Sequence, residues 1–225
     1  MKQNQFGRSM IEMLGVLAII GVLSVGGLAG YAKAMFKYRI NATIEQISHI
    51  AINIQNAYAD QRTYAGLNSM TPEGLQIIKK AKLVPENMID ETSTLKDTDI
   101  NRTAWILNKF GGGVYIVDDT WGDGNYKGFT INYFNLPEDA CIELATQDWT
   151  GLPGLKTLSV INYTYADTIG ETTSCRNGKG EFESSHVFIR ACPGGSVVPI
   201  PIPLSLAIQA CNCPNKTCDI LFGFQ

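Results

Sequence analysis

Residues Gly7-Arg8-Ser9-Met10-Ile11-Glu12 open the informative part of this sequence, and the twenty residues that follow them, Met13 to Ala32, carry no charge. A helix of about 20 apolar residues, rising roughly 1.5 Å per residue, covers the hydrocarbon core of a bilayer, which is about 30 Å thick. A signal peptide fits less well, because its apolar region has about 7 to 15 residues and ends at a small-residue cleavage site. Residues 13–32 are therefore predicted to span a membrane.

Glu12 is the feature that a simple membrane anchor does not explain. A carboxylate at the centre of a membrane costs on the order of 2.5 to 3.5 kcal/mol, so Glu12 needs the interface, protonation or a cationic partner. Arg8 lies four residues earlier and could pair with it on one helix, which is worth about 0.2 to 0.5 kcal/mol in water. The alternative is an ordinary signal anchor with an incidental glutamate near the interface.

The order of glycine, four residues, glutamate and a long apolar helix resembles the start of type IV prepilins and type II secretion pseudopilins. The resemblance implies that prepilin peptidase cuts after Gly7 and removes residues 1–7 as a leader. It also implies that the freed amine of Arg8 becomes the partner of Glu12 in another subunit. The family usually has Phe or Met with an N-methylated amine where this chain has Arg8, so methylation is left open.

An apolar stripe continues beyond the uncharged segment. Its residues are spaced alternately four and three apart, which indicates one buried helix face: Ile40, Ile44, Ile47, Ala51, Ile54 and Tyr58. No proline occurs before Pro72, so a single long helix is predicted over residues 8–65. Packing of its second half against a sheet is favoured over a coiled-coil seam, because the stripe lasts less than three heptads.

Residues 66–225 are predicted to form a globular head with an α+β fold. Thr71-Pro72-Glu73 is typical of an N-cap and first turn, and predicts a short helix to about Lys82. Residues 89–101 are polar and are expected to form a loop. Runs rich in β-branched and aromatic residues predict the strands of an antiparallel sheet, the first two as a hairpin around an Asp- and Gly-rich turn: 113–117, 129–134, 157–165 and 182–190.

A second resemblance covers roughly residues 110–165. Trp121-Gly122, Leu136-Pro137 and Ala140-Cys141-Ile142-Glu143-Leu144 are similar to the globular domain of PilS-like type IVb pilins. The last string predicts a helix with its cysteine buried. The resemblance implies a pilin-like fold, although the seven-residue leader is shorter than type IVb leaders usually are.

The six cysteines all lie in the C-terminal part, which is typical of an oxidising compartment: Cys141, Cys175, Cys192, Cys211, Cys213 and Cys218. Basic residues flank the apolar segment on both sides, so flanking charge does not decide its orientation. The cysteines instead predict that the head lies outside the cytoplasm. Six cysteines allow 15 pairings. Cys175 and Cys192 bracket a predicted hairpin at residues 177–180, which favours a bridge between them and leaves Cys141 for the C-terminal cluster.

Two further features of the C-terminal part leave alternatives open. The C-terminal cysteine cluster could bind zinc with Cys192, but a CxC spacing is not the usual one, and export disfavours free thiolates. Residues 197–204 contain three alternating prolines, which exclude a central strand. They are expected to form an extended apolar edge that covers the core or, less often in such segments, contacts another subunit.

The acidic turn after the first predicted strand is a weak calcium candidate. Asp118, Asp119 and Asp123 offer the oxygen ligands that calcium prefers, and pseudopilins can hold calcium in such loops. The turn does not fit the EF-hand pattern, and hairpin turns favour Asp, Asn and Gly for backbone reasons alone. No metal and no cofactor are therefore predicted.

Composition argues against nucleic acid binding and catalysis. Eighteen basic and 21 acidic residues give a formal charge of -3, so no cationic surplus exists to neutralise phosphates. The two histidines, His49 and His186, stand in no recognisable catalytic pattern. Cys141 with His186 could form a nucleophile pair, but a disulfide is the expected fate of Cys141 in an exported chain.

These features predict a structural subunit of a type IV pilus-like filament. Its partners would be prepilin peptidase, identical or related subunits, and the inner membrane. The precursor would lie in the inner membrane with a periplasmic head, and the mature chain in an extracellular pilus. A secretion pseudopilin and a membrane-anchored adhesion module that never polymerises are the alternatives.

Overall fold

The structure is a computed structural model that describes residues 6–95, 103–119, 127–161, 186–188, 201–213 and 216–225, with the backbone alone at 6–9, 119, 161 and 186–188. The chain divides into two compact units, residues 1–41 and 42–225. Helix α1, Phe6–Ala57, has 52 residues and runs through the first unit into the second. At about 1.5 Å per residue it is about 78 Å long.

Helix α1 ends at Ala57, earlier than the predicted boundary at residue 65. The chain turns at residues 58–60, and the ring of Tyr64 then lies against both Tyr58 (centroids 5.2 Å apart) and Phe129 (4.9 Å). No glycine or proline marks this end. The contact of Tyr64 with a residue 65 positions away accounts for the turn, and sequence periodicity does not contain it.

The predicted apolar face of α1 is buried for most of its residues, and further buried residues lie beside it. Ile47, Ala51, Ile54 and Tyr58 are buried as expected, whereas Ile44 is only half-buried. Thr43, Gln46 and Ile50 are also buried. The face is therefore wider than the predicted stripe.

Within the described residues, five strands form one antiparallel sheet in the order β1-β2-β5-β3-β4. Their bounds are β1 Val114–Asp119, β2 Gly128–Pro137, β3 Leu155–Ile161, β4 His186–Phe188 and β5 Thr217–Phe224. The predicted hairpin of β1 and β2 is confirmed, with Ile116 opposite Ile131. The later predicted strands are confirmed in part, because residues 162–185, 189 and 190 lie outside the described residues.

Strand β5 occupies the middle of the sheet and was not predicted. It pairs with β2 on one side and with β3 on the other, so that Phe222 lies opposite both Ile131 and Leu158. Six of its eight residues are buried. Its sequence therefore lacks the alternation of apolar and polar residues by which a half-exposed strand is predicted. The C-terminal residues of the chain therefore complete the core of the sheet.

An aromatic cluster fills one face of the sheet around β5. Phe129 stacks on Phe224 at 4.8 Å, and Phe222 meets the edges of Trp149 at 5.1 Å and Tyr133 at 6.3 Å. The indole nitrogen of Trp149 donates a hydrogen bond to the Leu144 carbonyl at 2.9 Å. These contacts join the strands to the helix that follows β2.

The short helices bear out the predicted caps. Helix α2, Pro72–Lys80, starts at Thr71, whose hydroxyl accepts a hydrogen bond from the Gly74 amide at 3.1 Å. A 3₁₀ turn, Glu86–Met88, restarts the chain after Pro85. Helix α3, Glu138–Ala145, buries Cys141 as expected. Of the predicted loop at 89–101, residues 96–101 lie outside the described residues.

Helix α4, Leu204–Ala210, stands where the sequence predicted the end of an extended segment. Pro203 supplies its N-cap position, and the carbonyl of Pro203 accepts from the amides of Leu206 and Ala207. A proline at the start of a helix does not interfere with the helical residues that follow it. The three prolines therefore did not indicate that a helix begins directly after Pro203. Residues 197–200 lie outside the described residues.

Candidate assembly surface on the N-terminal helix

The predicted processing site lies at the start of α1. Gly7 and Arg8 have helical backbone, and Glu12 follows Arg8 by one turn of the same helix. The side chain of Glu12 is exposed; that of Arg8 lies outside the description. The spacing that suggested an Arg8 and Glu12 pair is therefore present in the backbone.

From Met10 to Tyr31, α1 is an apolar cylinder that is not covered by any other described residue of the chain. Its large apolar side chains are 52 to 75% exposed: Met10, Ile11, Met13, Leu14, Val16, Leu17, Ile19, Ile20, Val22, Leu23, Val25, Leu28 and Tyr31. An isolated surface helix has a polar face, whereas a helix that is apolar all round is typical of burial in lipid or among other chains. We call residues 10–31 the apolar cylinder.

The hydroxyl of Ser24 in the apolar cylinder is satisfied within the helix, unlike the carboxylate of Glu12, which has no partner among the side chains that the structure describes. The hydroxyl of Ser24 donates a hydrogen bond to the Ile20 carbonyl at 2.7 Å, and the backbone groups bond along the helix. This is the arrangement that an environment without water requires. Among the described residues, α1 is the one helix long and apolar enough to cross a membrane, judged by length and composition.

The glycines of the apolar cylinder pack against no other element of the described part of the chain. A methyl group added at each of them would meet no other atom within 4 Å: Gly15, Gly21, Gly26, Gly27 and Gly30. In soluble helices a glycine costs about 1 kcal/mol relative to alanine. Close approach by a helix of another molecule is one use that would offset that cost.

Among the residues that the structure describes, two disulfides fasten the C-terminal region. Cys141 in α3 bonds Cys211 at the end of α4, with Cα atoms 5.8 Å apart, and Cys213 bonds Cys218 in β5, with Cα atoms 5.6 Å apart. The predicted link from Cys141 to the C-terminal cluster is confirmed. Cys175 and Cys192, with the hairpin at 177–180, lie outside the described residues.

This pairing removes two chemical roles that the sequence left open. Sulfur in a disulfide offers no thiolate, so Cys211, Cys213 and Cys218 are not zinc ligands in this state. Cys141 likewise has no thiol to act as a nucleophile. His49 lies exposed on α1, and the backbone of His186 pairs with Ile161 at the sheet edge.

The proline-rich segment is partly core and partly surface where it is described. Ile202 is buried, as expected for a cover over the core. Leu204 and Ile208, one turn apart on α4, are 60% and 49% exposed. The described end of the segment thus has one apolar residue in the core and an apolar pair on the surface.

One carboxylate of the calcium candidate makes a structural hydrogen bond. Asp118 lies in β1, and its carboxylate accepts a hydrogen bond from the Gly66 amide at 2.9 Å. Burial, and to a smaller extent the charge of Asp118, raises the pKa of Tyr58 above its usual range. Asp123 and the side chain of Asp119 lie outside the described residues, so the prediction that this turn binds no metal is untested.

The family assignment follows from a match over the last part of α1 and four of the five described strands. Residues 37–188, more than half of the chain, match the family described as PilS N terminal. The chain belongs to the PilS family of type IV pilins. The first resemblance, in residues 7–32, lies before this match, and the second lies within it. This type IV pilin thus combines the apolar cylinder with a head of the same family.

Two relatives share 26% identity with this pilin over 148 residues. Both are named as the major structural subunit of bundle-forming pilus, one from Escherichia coli O127:H6 (strain E2348/69 / EPEC) and one from Escherichia coli O111:H-. The match covers 64% of this chain and 66% of each relative, so the chain spans about two thirds of their length. A crystal structure of type IV b pilin from Salmonella typhi is 14% identical with a TM-score of 0.45, covering 81% of this chain and 97% of that one.

Proposed function

We propose that this chain is a structural subunit of a type IV pilus-like filament, cut by prepilin peptidase after Gly7 and held in the filament through α1. The observation that carries the proposal is the apolar cylinder, whose large apolar side chains are exposed among the residues that the structure describes. Each large apolar side chain that becomes buried gains about 1.5 to 3 kcal/mol. Thirteen such residues provide a strong drive to enter lipid first and neighbouring helices afterwards.

Glu12 gives the assembled helices a defined register. Apolar contacts among similar helices discriminate poorly between axial positions, because each shift exchanges one apolar neighbour for another. A carboxylate in apolar surroundings costs several kcal/mol unless a cation meets it. The amine that cleavage frees at Arg8 of a neighbouring subunit is such a cation, so the register that joins the two groups is favoured.

The role of a pilus subunit is favoured over the alternatives by the relatives. Both matched proteins are named as major structural subunits of bundle-forming pilus, rather than as secretion pseudopilins or adhesion modules. The disulfides in the head support an oxidising compartment. We place the precursor in the inner membrane with its head in the periplasm, and the mature chain in an extracellular filament.

Cleavage is tested with Gly7→Ala and the matched variant Gly15→Ala. Both add one methyl group to a glycine of α1, but only Gly7 precedes the expected bond. We expect Gly7→Ala to leave the uncut precursor in the membrane, and Gly15→Ala to be cut normally. Mass spectrometry of sheared filaments reads the first residue and any methyl group on Arg8. Filaments that begin at Met1 would contradict the processing step.

Assembly is tested with Glu12→Ala and the control Glu45→Ala, which removes an exposed carboxylate farther along α1. We expect Glu12→Ala to be cut but to yield few filaments, because the neighbouring amine loses its partner. Glu45→Ala should assemble normally. Abundant filaments from cut Glu12→Ala would refute the role of Glu12, while monomers from the unaltered, correctly cut chain would favour the non-polymerising anchor.

A further inference from the structure

The disulfide of Cys141 does not follow the order of cysteines along the chain. Its partner, Cys211, is 70 residues away, and both Cys175 and Cys192 lie between them in the sequence. A chain that crosses a membrane from its N-terminal side presents Cys141, then Cys175, then Cys192, and only later Cys211. The native partner is therefore the last of these three to become available.

Loop closure also favours the wrong partner. Cys175 is about half as far from Cys141 along the chain as Cys211 is. Closure probability in a flexible chain falls as the three-halves power of loop length, so Cys175 is favoured about threefold even when all cysteines are present. Order of export adds to this bias, because Cys175 also arrives first.

The fold cannot correct the pairing before the C-terminal residues arrive. Cys141 meets Cys211 only when α3 packs against α4, and α4 leads directly into β5. Strand β5 joins β2 to β3, so neither side of the sheet is complete without it. Native structure that would select Cys211 therefore forms after the first opportunity to form a bridge.

A second error is available inside the C-terminal cluster. The sulfur of Cys218 lies 3.2 Å from the carbonyl oxygen of Cys211, so the two bridges are neighbours in the folded head. Exchange of Cys211 for Cys213 would change the loop lengths by only two residues. The entropy of loop closure hardly distinguishes these two pairings. All four cysteines are buried once folding is complete, so an exchange has to occur before then.

We infer that maturation of this chain requires a thiol–disulfide isomerase in addition to the oxidase that introduces disulfides. This rests on the export of the head in the proposed function. The oxidase takes two electrons and two protons from each pair of thiols, giving first the bridges Cys141–Cys175 and Cys192–Cys211. The partner is an enzyme with a reduced, nucleophilic cysteine, and its substrate is a mispaired head whose sulfurs are still exposed.

The rearrangement needs no net oxidation or reduction. The isomerase thiolate attacks the sulfur of Cys175, forms a mixed disulfide and releases the thiolate of Cys141. That thiolate attacks Cys211 and releases Cys192, which attacks Cys175 and releases the isomerase. The products are Cys141–Cys211 and the predicted Cys175–Cys192 bridge, and the isomerase leaves with its thiolate regenerated.

The test expresses the full chain in bacteria with and without the envelope isomerase, both with the oxidase intact. Newly made chains are pulse-labelled and trapped with an alkylating agent, so that pairing is read by non-reducing peptide mapping before degradation. We expect the peptide containing Cys141–Cys211 to fall at least threefold without the isomerase. Peptides that link Cys141 to Cys175 or Cys192 should rise in proportion.

The double variant Cys175→Ser/Cys192→Ser is the decisive control. It removes both sulfurs that precede Cys211 in the order of export, so Cys211 becomes the first available partner of Cys141. The threefold effect of the isomerase should then fall to the smaller effect that exchange between Cys211 and Cys213 alone requires. Equal native pairing of the unaltered chain in both strains would overturn the inference, as would a dependence in the double variant as large as that of the unaltered chain. Fully reduced cysteines in both strains would instead show that the head is not exported, and the proposed function would fail.

Discussion

The two disulfides of the C-terminal region should differ in their contribution to stability. The variants to compare are Cys141→Ala/Cys211→Ala and Cys213→Ala/Cys218→Ala. All four residues are buried, so each pair of substitutions removes a similar amount of packed sulfur. What differs is the length of chain that each bridge closes, 70 residues in one case and 5 in the other.

The expected losses follow from the entropy that each bridge removes from the unfolded chain. In the chain-entropy treatment, a loop of this longer length contributes about 4.4 kcal/mol at 25 °C and one of the shorter length about 2 kcal/mol. A head of this size changes its Tm by roughly 2 to 4 °C per kcal/mol. We therefore expect the first variant to lose about 9 to 18 °C and the second about 4 to 8 °C.

The assay is unfolding of the full chain in detergent micelles, by urea and by heat, followed by tryptophan fluorescence. Trp149 reports on the head because it is buried against Phe222. The free energy of unfolding is compared among the two variants and the unaltered chain, with the remaining bridges verified by mass spectrometry. Equal losses, or a larger loss at Cys213 and Cys218, would refute the view that these bridges act mainly on the unfolded chain.

Three further outcomes are expected, each measured as a free energy of unfolding. Thr71→Ala should cost about 1 kcal/mol because the Gly74 amide loses its cap, while Thr71→Ser keeps it. Asp118→Ala should cost about 1 to 2 kcal/mol through the lost Gly66 bond, and added calcium should leave the Tm of the unaltered chain unchanged. Burial raises the pKa of Tyr133 above 10.0, so above pH 10 the unfolded chain binds fewer protons than the folded chain. The free energy of unfolding should therefore fall by up to about 1.4 kcal/mol per pH unit there. Tyr133→Phe should reduce that slope in a pH series.

The Tyr133→Phe variant has a second expected effect at neutral pH. Among the described residues, the buried hydroxyl of Tyr133 finds no hydrogen-bond partner, and an unsatisfied buried polar group costs about 1 to 3 kcal/mol. Loss of the oxygen should therefore leave the free energy of unfolding unchanged or raise it. A clear decrease would indicate a bonded water at this position.

Local signals predicted the elements that depend on neighbours in the sequence. The N-cap at Thr71 is confirmed because a hydroxyl there reaches an amide three residues later whatever the rest of the chain does. The hairpin of β1 and β2 is confirmed because its strands are rich in β-branched and aromatic residues and are adjacent in sequence. Burial of Cys141 on α3 followed from the same kind of local pattern.

Elements that depend on distant partners were missed or displaced. The end of α1 at Ala57 is set by the contact of Tyr64 with Phe129. Strand β5 is buried on both faces and carries Asp219, whose carboxylate accepts a hydrogen bond from the Asn135 amide at an irregularity in β2. A continuous buried run that contains an aspartate gives neither the period of a strand nor that of a helix.

The sequence by itself determined that an uncharged helix of bilayer length precedes a cysteine-rich head, because charge and apolar spacing are properties of the chain alone. It also determined that Glu12 needs a partner, since the cost of a carboxylate in apolar surroundings does not depend on the fold. The tertiary structure alone decided that the last strand lies at the centre of the sheet and that Cys141 bonds Cys211. In both cases several partners distant in the sequence have similar local residue patterns, and only the packing of the complete core selects one of them.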